Sequence, residues 1–444
     1  MKKFFFENYK VIIFFSLLIL FFNYIFFINF TDNGLSNSTL NSSYVFTIIV
    51  LNLLPLVFYY LNKNEKLNLP IFYLSLIYFF FAYTLAIIFN QWSNPYESIG
   101  VSLVFEDHAR AVKIYLIALL SFNIGYFIFF KYIKKNRDGF TILDIEKNSN
   151  LLLLGFLTLL GVILVYYILD LPKFINGILQ IKYPLLYFSY GLLTLYIANN
   201  QKKTSWILLF VIFGLILTPV FIDLLSGAYL TPFISLFLIL IFYYYLNPKI
   251  FNKKIILMII LLISFFLLII PIKYEYRQII KNDLNLNVKE KAVVYVKAIS
   301  SQFNHFNYKT INSIFINRVF HSYDSLVIVI SQSPEKVDFW RGESYKILSS
   351  KIIPRIFWKD KPSDTLANTY GHRYGVLNKD DFHTSWNMPV LNEFYLNFGI
   401  PGVSIGMFLL GILFRFFSTY LSIKKNNIEK IISFFILVPL FFLE

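Results

Sequence analysis

Trp206-Ile207-Leu208-Leu209-Phe210-Val211-Ile212-Phe213-Gly214-Leu215-Ile216-Leu217-Thr218-Pro219-Val220-Phe221-Ile222 runs for 17 residues without a charge, between Lys202-Lys203 and Asp223. A hydrocarbon core about 30 Å thick is crossed by roughly 17–25 helical residues, so this stretch reads as a membrane span. Nine comparable stretches lie near 11–30, 44–61, 69–90, 111–130, 151–170, 183–199, 230–246, 255–272 and 399–421. An eleventh apolar run, 431–443, has only 13 residues, and its shortness leads us to expect that the natural chain continues past Glu444. The expected fold is therefore an all-α polytopic membrane protein of about 11 or more transmembrane helices. Pro55, Pro219 and Pro232 are expected to kink their spans and nothing more.

Composition agrees with a lipid solvent. Of 444 residues, 57% are hydrophobic and 15% charged, and Phe 52, Tyr 32 and Trp 5 make the chain 20% aromatic. Mean hydropathy is +0.62. Too little polar surface remains to cover a water-soluble globule. The absence of cysteine excludes disulfides, thiolate nucleophiles, iron–sulfur clusters and Cys-ligated zinc.

The formal charge of +15 then becomes a question of sidedness rather than of nucleic acid, which is not expected as a partner. With the N-terminus inside, the inner tail and loops carry 18 Lys and Arg, whereas the short outer connections carry Arg110, Lys113, Lys173 and Lys182. That asymmetry is the positive-inside rule. Met1-Lys2-Lys3 precedes an apolar run of about twenty residues with no small-x-small site after it, so the first span reads as an uncleaved anchor. Asp170, Asp223 and Arg415 sit near span ends, where headgroups or water are expected to reach them.

Three regions follow: residues 1–272, a bundle of about nine helices; 273–398, a long extracytoplasmic and mainly helical loop; and 399–444, the C-terminal helices. The loop is too long for a connection and should carry the chemistry. It holds 17 basic and 12 acidic residues, with His305, His321, His372 and His383. The fifth histidine, His108, also falls on the outer side.

Residues 288–330 have helical periodicity, and on such a helix Arg318, His321 and Asp324 share a face at i, i+3 and i+6. The same spacing also describes an exposed helix with an ion pair. Pro354 and Pro362 bracket a rigid turn that displays Arg355, Lys359 and Lys361 among aromatics, a composition fitted to phosphate oxygens. Tyr370-Gly371-His372-Arg373-Tyr374-Gly375 sets two cations between tyrosines, suited to sugar stacking and phosphate contact. Gly402-xxx-Gly406 reads as a helix-packing contact. No metal-ligand spacing and no nucleotide loop is present, and no cofactor is expected.

Together these stretches resemble the oligosaccharide repeat unit polymerases of bacteria, the Wzy-type O-antigen and capsule polymerases. Ile353-Pro354-Arg355-Ile356-Phe357-Trp358-Lys359-Asp360-Lys361-Pro362 is similar to the family's Pro-Arg…Trp…Lys-Pro stretch. Arg318-Val319-Phe320-His321 and Gly342-Glu343-Ser344-Tyr345 resemble the elements before it. Glu393-Phe394-Tyr395-Leu396-Asn397-Phe398-Gly399-Ile400-Pro401-Gly402 resembles the one after it. The resemblance covers roughly 315–415.

It implies a lipid-sugar-dependent glycosyltransferase of the bacterial plasma membrane, acting on undecaprenyl-pyrophosphate-linked oligosaccharide, with a flippase and a chain-length regulator as partners. Such a reaction needs cations for the departing pyrophosphate and a base for the attacking hydroxyl. The cation candidates are Arg277, Arg318, Arg355, Lys361, His372 and Arg373. The first base candidate is His321, oriented by Asp324, and the second is Glu393. An O-antigen ligase, transferring to lipid A core, uses the same donor. A lipid-linked oligosaccharide flippase is a further alternative, although charges lining a bundle interior are lacking.

Overall fold

The computed structural model describes residues 44–53, 55, 71–88, 105–128, 150–168, 182–200, 205–225, 235–240, 242–243, 272, 275–276, 288–304, 320–345, 358, 366–381, 384–386 and 388–422. The described residues form helices and short turns, with no strand among them. We number the helices α1 (Tyr44–Leu53), α2 (Ile71–Phe79, then a π-turn Phe80–Thr84, then Leu85–Ile88), α3 (Phe105–Ile128) and α4 (Asn150–Ile163, ending in a π-turn Leu164–Ile168). There follow α5 (Lys182–Asn199), α6 (Trp206–Leu225), α7 (Val288–Asn304), α8 (His321–Gln332), α9 (Leu366–Arg373) and α10 (Val390–Ser422).

Three described helices are long and apolar enough to cross a membrane: Glu106–Ile128, Trp206–Leu224 and Val390–Phe417. They coincide with predicted spans. Four other predicted spans fall on α1, α2, α4 and α5, which are shorter or richer in tyrosine over their described lengths. The span predicted at 11–30 lies outside the described residues, as does 255–272 apart from Ile272.

Helices α4, α5 and α6 form one antiparallel group. A Cβ on Gly155 would meet Leu193, so the absence of a side chain lets α4 approach α5 closely. Ser189 bonds Thr158 at 3.0 Å across the same contact, and Tyr190 donates to the Ile216 carbonyl at 3.2 Å. At the end of this group Lys182 pairs with Asp223 at 3.0 Å. Asp223 is thus a buried partner in an ion pair, and not a headgroup contact as the sequence suggested.

Helices α2, α3 and α10 form the group that carries the site. Phe72 stacks on Tyr126 at 3.7 Å and Tyr83 on Tyr115 at 5.0 Å, which sets α2 antiparallel to α3. A Cβ on Gly125 would strike the Phe408 carbonyl, and one on Gly411 the Phe122 carbonyl, so α3 and α10 touch backbone to backbone. Farther along, the guanidinium of Arg415 lies 5.3 Å from the Tyr126 ring centre. Arg415 is only 2% exposed, which corrects the expectation that it reaches water. Its charge is held inside the bundle by an aromatic face.

Helix α10 is broken at Gly399, whose φ of 63° and ψ of −147° only glycine adopts readily. The turn there is sharp enough that Phe394 packs on Gly402 and Gly406 beyond the break. The Gly402-xxx-Gly406 pair is therefore a packing contact, made to the chain's own preceding turn. Such a break leaves helix carbonyls without intrahelical partners. Here Trp340 and Arg341 donate their backbone N–H groups to the Leu396 and Asn397 carbonyls at 3.0 and 3.1 Å. The site's two strands of chain are thereby sewn together.

Candidate functional site

Helix α8 begins at His321, with Phe320 in the capping position, and Arg318 lies outside the described residues. Of the face predicted for Arg318, His321 and Asp324, the described residues include the last two, both in the first turn of α8. Ser322 through Ile330 are all buried, because α8 lies between α3, the π-turn of α2 and α10. An exposed helix with a solvated ion pair is excluded by that burial.

Asp324 is 6% exposed, and among the described residues no side-chain donor reaches its carboxyl. Burial pushes its pKa up to about 7 from an ordinary 3.8, because the charged form loses its hydration. His321 is half-buried, with its ring edge-on to Trp386 at 6.2 Å. Among the described residues no hydrogen bond joins His321 to Asp324, so the orienting role expected of Asp324 has no direct contact behind it. On the other side of α8, Tyr323 lies 3.4 Å from Nδ1 of His108 on α3. Asn392, at the start of α10, donates to the Ser322 carbonyl at 2.9 Å.

One residue on, Glu393 opens a second polar group. Tyr370 of α9 donates to its carboxylate at 3.3 Å. Burial raises the Tyr370 and Tyr345 phenols well above their ordinary range, and the negative charge of Glu393 raises them further. Asn397, one turn after Glu393, donates to Ser344 at 2.8 Å and accepts from the Gly342 N–H at 2.8 Å. The Gly342-to-Tyr345 and Glu393-to-Asn397 stretches, 53 residues apart at Ser344 and Asn397, are thus one cluster.

Arg373 closes this cluster. Its guanidinium lies 4.6 Å over the Trp340 ring, and Trp340 in turn lies 4.6 Å from Tyr370. The same side chain reaches Glu343 at 3.5 Å and donates to the Asp338 carbonyl at 3.1 Å. His372 instead contacts the Asp381 carbonyl at 3.0 Å, closing its own loop. Both tyrosines flanking these two residues are buried, Tyr370 against Trp340 and Glu393, and Tyr374 bonded to Ser333 at 3.0 Å. The two groups adjoin through Asn392, which bonds the turn carrying His321 and Asp324 and precedes Glu393, while Arg373 lies with Trp340 and Glu343 in the second group. Arg277, Arg318, Arg355 and Lys361 lie outside the described residues.

Trp340, Trp386, Tyr323 and Asn392 join the site without having been singled out. Asn392 directly precedes the quoted stretch that begins at Glu393, but nothing in an isolated tryptophan or tyrosine distinguishes a site wall from a core. Among the described residues no three His, Asp or Glu side chains are grouped to hold a metal ion.

The described residues form an all-helical fold of the membrane-protein kind, with three helices long and apolar enough to cross a membrane and polar groups at the starts of α8 and α10. Residues 38–422 match the model of a domain family of unknown function, DUF8712, and the chain belongs to that family. No curated protein and no solved structure matches it.

Proposed function

We propose that the protein polymerises undecaprenyl-pyrophosphate-linked oligosaccharide repeat units into surface polysaccharide. The growing glycan is transferred to the next lipid-linked unit, and undecaprenyl pyrophosphate leaves. The observation that carries this reading is the Asn397 bridge, which joins the Gly342-to-Tyr345 and Glu393-to-Asn397 stretches of the family resemblance, with Arg373 on Glu343 beside it. In this reading His321 takes the proton of the attacking hydroxyl. Glu393, gripped by Tyr370, binds sugar hydroxyls or serves as the base in its place. Arg373, with Arg277, Arg318, Arg355, Lys361 and His372, meets the pyrophosphate charge.

The full chain has about 11 or more spans in this reading, with the N-terminus cytoplasmic and 273–398 outside the bacterial plasma membrane. The parallel course of α3 and α10 supports it, since the fourth and tenth spans both run inward in that topology. Deletion of the gene tests the reading. A polymerase-deficient strain accumulates single lipid-linked units and carries at most one repeat on its surface, whereas a ligase-deficient strain holds long glycan on the lipid carrier. Unchanged surface glycan and unchanged lipid-linked pools would dismiss both.

A further inference from the structure

The two halves of the site meet the membrane bundle at Asn392. Its side chain is fully buried and uses both ends: Nδ2 donates to the Ser322 carbonyl in the first turn of α8, and Oδ1 accepts from the Tyr83 hydroxyl at 2.9 Å. Asn392 therefore touches the turn that carries His321 and Asp324 and is covalently next to Glu393. Its third attachment, Tyr83, belongs to α2.

Tyr83 sits in the π-turn Phe80–Thr84, where the Leu85 N–H bonds the Phe80 carbonyl five residues back. A π-turn accommodates one more residue than an α-turn and re-aims the side chains it contains. Its two polar side chains point to different partners. Thr84 meets Asn52 and Tyr115, each at 2.9 Å, while Tyr83 reaches out to Asn392. Tyr115 donates in turn to the Phe79 carbonyl at 2.9 Å, pinning the start of the wide turn. A buried phenol, amide and carbonyl in one chain are costly to disrupt, because each unpaired group keeps its desolvation penalty.

We propose that Asn392 is a positioning residue, which sets the turn carrying His321 and Asp324 against Glu393 and takes its own reference from Tyr83 in the π-turn of the membrane bundle. This rests on the polymerase reading above. Asn392 and Tyr83 touch no substrate; they fix the separation of groups that do. Misplacing such groups lowers turnover more than it lowers binding, since the contacts that hold the substrate persist.

The test uses the purified full-length protein, with lipid-linked single repeat units extracted from a strain lacking this gene. Tyr83→Phe deletes one hydroxyl and little volume. It is expected to lower kcat roughly 10-fold and leave KM within about two-fold of wild type. Tyr83→Phe combined with Asn392→Ala should be no worse than Asn392→Ala alone, because the pair acts as a unit. Wild-type kcat in Tyr83→Phe, or single effects that multiply, would overturn the proposal. Should Asn392→Ala fail to insert, hydrogen exchange in Tyr83→Phe replaces it: α8 amides are expected to exchange faster with those of α5 unchanged, and an unchanged α8 overturns the proposal. Failure of the wild type to make any polymer would instead remove the polymerase reading itself, and this inference with it.

Discussion

Tyr370 on α9 and Glu393 on α10 meet phenol to carboxylate at 3.3 Å, with the Tyr370 ring 4.6 Å from that of Trp340. Because burial and the neighbouring charge both raise the phenol's pKa, Tyr370 remains a proton donor at any physiological pH. Glu393 is thereby a held acceptor, suited to sugar hydroxyls. With purified protein, His321→Ala is expected to lower kcat by about 10²–10⁴, whereas Glu393→Gln mainly raises KM. The opposite pattern makes Glu393 the base.

Asp324 makes stability depend on pH. Its pKa, near 3.8 when unfolded and about 7 when buried, means that the native state holds a proton the unfolded chain releases. That contribution is fully present below pH about 4 and is lost as pH rises through about 7. Asp324→Asn cannot ionise and should flatten this slope, leaving the variant more stable than wild type at pH 8. Thermal unfolding in detergent between pH 5 and 8 checks it, and parallel curves for the two proteins would contradict it.

At Gly399 any side chain meets two obstacles, the glycine-only backbone angles and the Phe339 ring 3.0 Å from a Cβ. Gly399→Ala is expected to cost about 1–3 kcal/mol, seen as a lower midpoint of thermal unfolding. Gly161, whose Cβ would enter open space, is the control. Gly161→Ala should leave the midpoint unchanged or raise it.

The Lys182–Asp223 pair sits mostly out of water at the end of the α5–α6 contact. Lys182→Met strands a carboxylate and should destabilise the protein by up to about 3 kcal/mol. Adding Asp223→Leu to that variant should recover most of the loss. Strict additivity in a thermal-shift double-mutant cycle would rule out the coupling.

Sidedness can be read directly, because the chain has no cysteine of its own. Lys336 is exposed in the turn after α8. A Lys336→Cys variant in intact cells should react with membrane-impermeant maleimide. Labelling only after permeabilisation would place the site inside and remove the proposed topology.

Much of this architecture was legible from periodicity and charge. Apolar run length located α3, α6 and α10, and the stretch from Glu393 to Gly402, read as the entry into the tenth span, contains the break at Gly399. What sequence could not convey was partnership. Asp324 reads as half of a surface ion pair until α3 and α10 are packed around it, and Arg415 reads as a headgroup contact until Tyr126 is stacked upon it. Spacing along one chain gives a face, whereas burial depends on which other helix covers that face. The π-turn was likewise invisible, since Phe80-Phe81-Ala82-Tyr83-Thr84 has no breaker residue and the partners of Tyr83 and Thr84 lie on other helices.

The turn at Gly399 gives the site a mechanical character. With Phe394 seated on Gly402 and Gly406, the short segment bearing Asn392, Glu393 and Asn397 is packed against the length of α10 that is apolar enough to cross a membrane. A spanning helix adjusts its tilt to the thickness of the bilayer. In the proposed polymerase a tilt of α10 would carry the Glu393 carboxylate with it, which would make the thickness of the surrounding lipid an input to the transfer.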